Sequence, residues 1–179
     1  VFALVSSMTP GPNNMMLLSS GLTFGFRRTI PHMLGVVIGH PAMVLAIGFG
    51  LGAVFERVPA ACTVLKIAGA LYMLYLAWRI ATSGEVKARE GDARPLSFLQ
   101  AALFQWINVK GWGIAIGTIT AYAALASYPW NILTMALLLL VLGLSSSVAW
   151  TLFGASLQSL VRSPAAIRAF NWVMAGLLL

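Results

Sequence analysis

The 179-residue chain is 60% apolar, only 8% of it is charged, and its net charge is +7. A soluble domain carries about 25% charged residues, and a mean hydropathy of +0.90 leaves too few polar groups to cover a soluble surface. That excludes a soluble enzyme, a disordered chain and a disulfide-stapled secreted domain, the one cysteine, Cys62, being unable to form an intramolecular bridge. The basic residues form no stripe, so nucleic acid is not an expected partner. At ~20 apolar residues per span, the length accommodates roughly six to seven short-looped transmembrane helices.

The chain is apolar from Val1, with neither a basic leader nor a small-residue cleavage site, and no signal peptide is expected. The first span is predicted over Val1 to about Phe24, interrupted at Thr9-Pro10-Gly11-Pro12-Asn13-Asn14 and closed by Arg27-Arg28. The second covers roughly Ile30 to Val54, holds Gly35, Gly39, His40 and Pro41, and turns at Glu56, Arg57 and Pro59. The third, from Ala60 to about Ile80, contains Lys66, close enough to one end to snorkel outward. Ser83 to Pro95 is strongly polar and reads as a solvated connector. Span four runs from Leu96 to about Ala121 with Gln100, Gln105, Asn108 and Lys110 inside it. Tyr128-Pro129-Trp130 reads as an interfacial turn with aromatic anchors. Span five covers Asn131 to about Leu157 and includes Ser145, Ser146 and Ser147. A polar turn from Gln158 to Arg168 leaves Ala169 to Leu179 for a sixth helix, too short for a ~30 Å core and therefore expected to be truncated.

Charge gives an orientation. Arg27, Arg28, Arg79, Lys87, Arg89, Arg94, Arg162 and Arg168 fall on the connector side, and Arg57 alone on the other. The positive-inside rule then places the connector of this multi-pass chain in the cytoplasm. Cutting the chain at the connector gives a first three-helix repeat (1–80), the polar connector (81–95) and a second repeat (96–179). Three spans per half means that the halves enter from opposite faces, as inverted repeats. Each half opens with a span interrupted near an asparagine, at Pro12-Asn13 and at Asn108-Val109-Lys110. Paired interruptions of this kind point to a transporter binding site.

Pro10 and Pro12 each remove a backbone N–H and free carbonyls that must be satisfied away from lipid. The prolines either shape packing or, with Gly11, open an unwound segment where carbonyls and the Asn13 and Asn14 amides bind a polar substrate. Lys110 lies deep in the bilayer, where a lysine costs about 2.5–3.5 kcal/mol. It points into a wet cavity, pairs with freed carbonyls, or meets an anionic group on a ligand. His40 reads either as a satisfied core histidine or as an intramembrane proton carrier. Gly35-xxx-Gly39 permits close helix packing and makes span two a candidate surface for homo-oligomerisation. The four acidic residues near connectors and the two histidines form no catalytic or metal constellation, so neither enzyme activity nor a cofactor is expected.

Thr9-Pro10-Gly11-Pro12-Asn13, Gly21-Leu22, Gly25 and Gly35-xxx-Gly39 together resemble the opening of the LysE/RhtB family of amino-acid exporters. Leu65-Lys66-Ile67-Ala68-Gly69-Ala70-Leu71-Tyr72 resembles that family's third helix, and Asn108-Val109-Lys110 stands where members usually carry Asn-Pro-Lys. The resemblance covers essentially the whole chain. It implies a bacterial inner-membrane exporter of amino acids driven by the proton gradient; because no span carries an acid, neutral substrates such as threonine or homoserine are expected over lysine or arginine. On this reading the zwitterion binds near the midplane between the halves, at Pro10, Gly11, Pro12, Asn13, Asn14, Asn108 and Lys110, with His40 as the proton-coupling candidate. Rocking of one half against the other then alternates access. The alternative is a small-solute or ion channel, which would also use broken helices.

Overall fold

Prolines, glycines and one side-chain cap set most helix boundaries in the computed structural model, which describes residues 2–51, 59–82, 94–122, 124, 126–160 and 164–178. The turn at Glu56-Arg57, residues 83–93 of the connector with Lys87 and Arg89, Arg162, and the side chains of Lys66 and Arg79 lie outside the described residues. The first span is two helices, α1 (Phe2–Met8) and α2 (Pro12–Phe24), separated by Thr9-Pro10-Gly11. Pro12 stands at the first position of α2, where a missing N–H has no helical partner to lose. The next helix, α3 (Phe26–Ala46), contains Pro31 and Pro41 and unwinds through a wide turn over Ile47–Leu51. Then follow α4 (Pro59–Thr82), α5 (Phe98–Phe104), α6 (Val109–Tyr122), α7 (Trp130–Leu160) and α8 (Pro164–Leu178).

Several boundaries differ from the sequence expectation. Span two starts at Phe26, not Ile30, because a single residue, Gly25, joins α2 to α3. Gly25 donates its N–H to the Gly21 carbonyl at 2.9 Å. It also turns the chain at φ 77°, ψ 169°, a conformation essentially confined to glycine. Gly25→Ala is therefore expected to cost about 1–3 kcal/mol, read as a lower melting temperature of the detergent-purified protein. Part of the stretch Gln158 to Arg168, expected to be a polar turn, is helical: α7 runs to Leu160, and Pro164 starts α8, on which Arg168 lies exposed. Gln100 belongs to no polar seam: it closes a capping box with Ser97 at the start of α5, its Oε1 accepting from the Ser97 N–H at 3.0 Å.

Span four is broken as span one is. The helix α5 ends at Phe104, residues 105–107 form a turn, and α6 restarts after Asn108. Val109 occupies the first helical position of α6, so the break forms without the proline that the resemblance led one to expect there. The two broken spans divide alike, into helices of 7 and 13 residues and of 7 and 14 residues.

Where helices cross, glycines let backbones touch. A Cβ on Gly21 would run into the Thr151 carbonyl, and one on Gly154 into the Leu18 carbonyl, so α2 and α7 meet without side chains between them. Gly35 and Gly39 likewise sit against Phe98, Ala101 and Ala102 of α5. The Gly35-xxx-Gly39 face thus packs within the chain and is not left for a second copy. Helix α3 also packs on α7, and α4 on α8. Below the crossings lies a core of Met15, Met16, Leu18, Val36, Ala101 and Phe104.

The outer surface is apolar. Val64, Ile67, Leu71, Leu74, Tyr75 and Trp78 form an exposed stripe along α4, and Leu137, Val141, Leu152 and Phe153 are exposed on α7. Phe26–Gly50 and Trp130–Leu157 are long and apolar enough to cross a membrane, and only 44% and 33% of their apolar windows are buried within the molecule. A soluble protein's core helix would be mostly covered. At 1.5 Å per residue the 31 residues of α7 reach about 46 Å, more than a ~30 Å bilayer core, and tilt accommodates such a helix.

Candidate functional site

The two helix breaks meet. Asn13, in the first turn of α2, and Gln105, just after α5, pair through both amide atoms: Asn13 Nδ2 donates to Gln105 Oε1 at 2.8 Å, and Gln105 Nε2 donates to Asn13 Oδ1 at 3.0 Å. Gln105 Nε2 also donates to the Ala101 carbonyl at 2.9 Å, which fixes which end of that amide is nitrogen and hence the sense of the pair. Ninety-two residues separate the partners, and Gln105 is completely buried.

Lys110, in the first turn of α6, reaches across to the other break. Its ammonium donates to the Thr9 carbonyl at 2.9 Å and the Pro10 carbonyl at 3.2 Å. Carbonyls left bare at the helix break therefore find a cation just past the C-terminal end of α1, where the helix dipole favours positive charge. Gly11 makes room for the approach: a Cβ there would stand 2.7 Å from Lys110 Cδ and 2.8 Å from Nζ. Its φ of −174° is ordinary extended backbone, so space and not conformation calls for glycine.

Asn14 completes the first break. Its Nδ2 donates to the Ser7 and Thr9 carbonyls, each at 2.9 Å. Ser146 of α7 donates to the same Ser7 carbonyl at 2.7 Å and lies 3.4 Å from Asn14 Oδ1. His40 meets the other break, its Nε2 3.1 Å from the Gly111 carbonyl; against a carbonyl this nitrogen is the donor. Asn108 is buried, and its Oδ1 has no hydrogen-bond partner among the described residues.

These groups line one cavity of about 550 Å³, mouth included, walled by α1, α2, α3, α6 and α7. Ser6, Ser7, Asn13, Asn14, His40, Asn108, Lys110, Ser146 and Ser147 give it a polar face, and Val36, Val37, Ile114 and Leu139 an apolar one. No carboxylate is among the lining residues. Of the residues singled out from the sequence, Gly11, Pro12, Asn13, Asn14, His40, Asn108 and Lys110 line it, and Pro10 contributes its carbonyl to Lys110. The Nδ2 of Asn14 spends both N–H groups on protein carbonyls, and Asn13 gives one N–H and its oxygen to Gln105. Lys110 has one N–H beyond its two carbonyl bonds, and the unpaired Asn108 oxygen is itself buried.

Sequence reasoning gave no role to Gln105, Ser7, Ser146 or Ser147. Ser145-Ser146-Ser147 is a visible polar run, but only helix phase tells which hydroxyls face inward: Ser146 and Ser147 are buried, while Ser145 is exposed and returns to the Val141 carbonyl at 2.9 Å. Gln105 carried a signal, a polar residue in an apolar run three positions before Asn108.

A family model described as LysE type translocator matches residues 4–179. The cysteine/O-acetylserine efflux protein of Escherichia coli strain K12 is 36% identical over 185 residues, covering 99% of this chain and 90% of its own length. The protein of the same name from Shigella sonnei strain Ss046 matches to the same extent. No solved structure matches the chain.

Proposed function

The chain belongs to the LysE type translocator family, and we propose that it exports small neutral amino acids from the cytoplasm through the cavity between its two helix breaks. What carries this reading is the convergence of two broken helices on one polar cavity that holds a lysine and no carboxylate among its lining residues. The substrate carboxylate takes the remaining N–H of Lys110. The substrate ammonium takes the unpartnered Asn108 oxygen and serine hydroxyls. Pro10, Gly11 and Pro12 shape the unwound wall, and Asn13 and Asn14 hold it. With no fixed acid to receive a cationic side chain, lysine and arginine are disfavoured. Cysteine and O-acetylserine, the compounds named for the relatives, stand beside threonine and homoserine as first candidates.

The halves act as inverted three-helix repeats, 1–80 and 96–179, joined by a cytoplasmic connector at 81–95 in a bacterial inner membrane. Their support is the matched division of the two broken spans and the exchange-symmetric packing, in which span one lies on span five as span four lies on span two. His40, on the cavity wall and against α6, is the group placed to couple a proton to substrate movement.

Cells expressing the gene are expected to resist growth inhibition by some members of a panel of amino acids and analogues, with lower intracellular pools of those compounds. Everted vesicles should accumulate the same labelled compounds saturably and stop when a protonophore collapses the gradient. Resistance to none, or flux that is linear in concentration and indifferent to the gradient, defeats the exporter reading and favours a channel.

A further inference from the structure

We propose that Gln105 is a positioning residue of this site: its amide ties the start of α2 to the end of α5, and this spacing brings Lys110 onto the carbonyls of the opposite break. The inference rests on the exporter reading for its purpose but not for its geometry. Both breaks are ends of helix, with no ladder of their own to fix how far apart they stand. The reciprocal pair spans them with two hydrogen bonds, at 2.8 Å and 3.0 Å. A third bond to Ala101 anchors Gln105 to the last turn of α5, and α5 is in turn seated on Gly35 and Gly39 of α3. Asn13 is one residue past Pro12 and two past Gly11, the residue that Lys110 lies against. Gln105 is five residues before Lys110. One amide pair thus sets the separation between the lysine and the carbonyls it holds. It also takes one N–H and one oxygen lone pair of Asn13, leaving that amide a second N–H on the cavity wall.

Lysine reactivity tests this without any need for transport. The chain has three lysines, Lys66, Lys87 and Lys110, so an amine-acylating reagent followed by peptide mass spectrometry reads each one, with Lys87 as internal reference. In Gln105→Met the Lys110-to-Lys87 ratio is expected to rise roughly tenfold, as for a tenfold rise in the fraction of Lys110 released from the carbonyls. Asn13→Leu should do the same from the other side of the pair, and the double variant should add nothing further. Unfolding would also free Lys110, so labelling is read well below each variant's melting temperature, and Gly154→Ala, destabilised at the α2–α7 crossing, is the control whose ratio should stay at the wild-type value. Unchanged ratios in both single variants, or fully additive effects, overturn the proposal; the second variant stands in where the first fails to fold. In proteoliposomes, Gln105→Met should raise the KM for labelled L-cysteine more than it lowers kcat. Raised Lys110 reactivity in the variants, together with a wild-type protein that moves no amino acid, would sink the exporter reading and leave the role of Gln105 standing.

Discussion

Lys110→Met should slow uptake of labelled amino acid by everted vesicles about 10- to 100-fold, the equivalent of one charge-assisted hydrogen bond of about 1.5–3 kcal/mol. Methionine keeps the length and the apolar stem of the side chain, so packing against Gly11 survives while the ammonium goes. Two losses are then separable. The Pro10 carbonyl loses its lysine donor, whereas the Thr9 carbonyl still accepts from Asn14 at 2.9 Å. Losing the donor loosens the break and lowers the melting temperature. The free N–H that meets the substrate carboxylate is lost as well, and this raises KM. Membrane insertion does not suffer, because a lysine at this depth opposes insertion by about 2.5–3.5 kcal/mol. Lys110→Arg restores charge but not shape: the guanidinium is a planar fork, unlike the compact ammonium that sits on two carbonyls. It should recover stability better than transport. Wild-type uptake by Lys110→Met would remove the lysine from the site.

Much of this arrangement was readable from residue types. Two prolines flanking a glycine strip one stretch of an apolar run of its helical bonds, whereas single prolines such as Pro31 and Pro41 stay inside α3. A lysine far from either end of a span must find oxygen; both are local statements about backbone and solvation. The second break was harder. Residues 105–108 contain neither proline nor glycine, and the helix is interrupted there by contacts from elsewhere: Asn13 holds Gln105, and the Trp106 carbonyl is taken by Trp112 Nε1 at 2.9 Å. Sequence patterns cannot report a partner ninety-two residues away. The same limit hid Ser7 and Ser146, whose bond joins α1 to α7. Lys110 shows the converse. Pairing with carbonyls and meeting a ligand looked like alternatives in the sequence, but an ammonium has three donors and the structure uses two of them on carbonyls.

Gly154→Ala is expected to lower stability by about 3 kcal/mol, the upper part of the usual range for overpacking, because the atom in the way is backbone and cannot rotate aside. Gly21→Ala should behave alike, as each glycine faces a carbonyl of the opposite helix. Gly113→Ala is the control: nothing lies within 4 Å of the added methyl, and helix propensity favours alanine by up to about 1 kcal/mol. Equal melting temperatures for Gly154→Ala and Gly113→Ala would show that the α2–α7 contact is not tight. The consequence for transport is larger than the stability loss. The crossing α2–α7 joins the first half of the sequence to the second, the crossing α3–α5 does so again, and the Asn13–Gln105 pair adds a third tie. On the proposed function, halves tied at three places are expected to move little as two rigid bodies, and the movement is expected at α1 and α6. Leu4, Val5 and Met8 of α1 and Val109 and Ile116 of α6 are exposed, and Lys110 links the two helices through the first break. Spin labels on α1 and α6 should therefore change separation between the empty and loaded protein, while a pair on α2 and α7 should not.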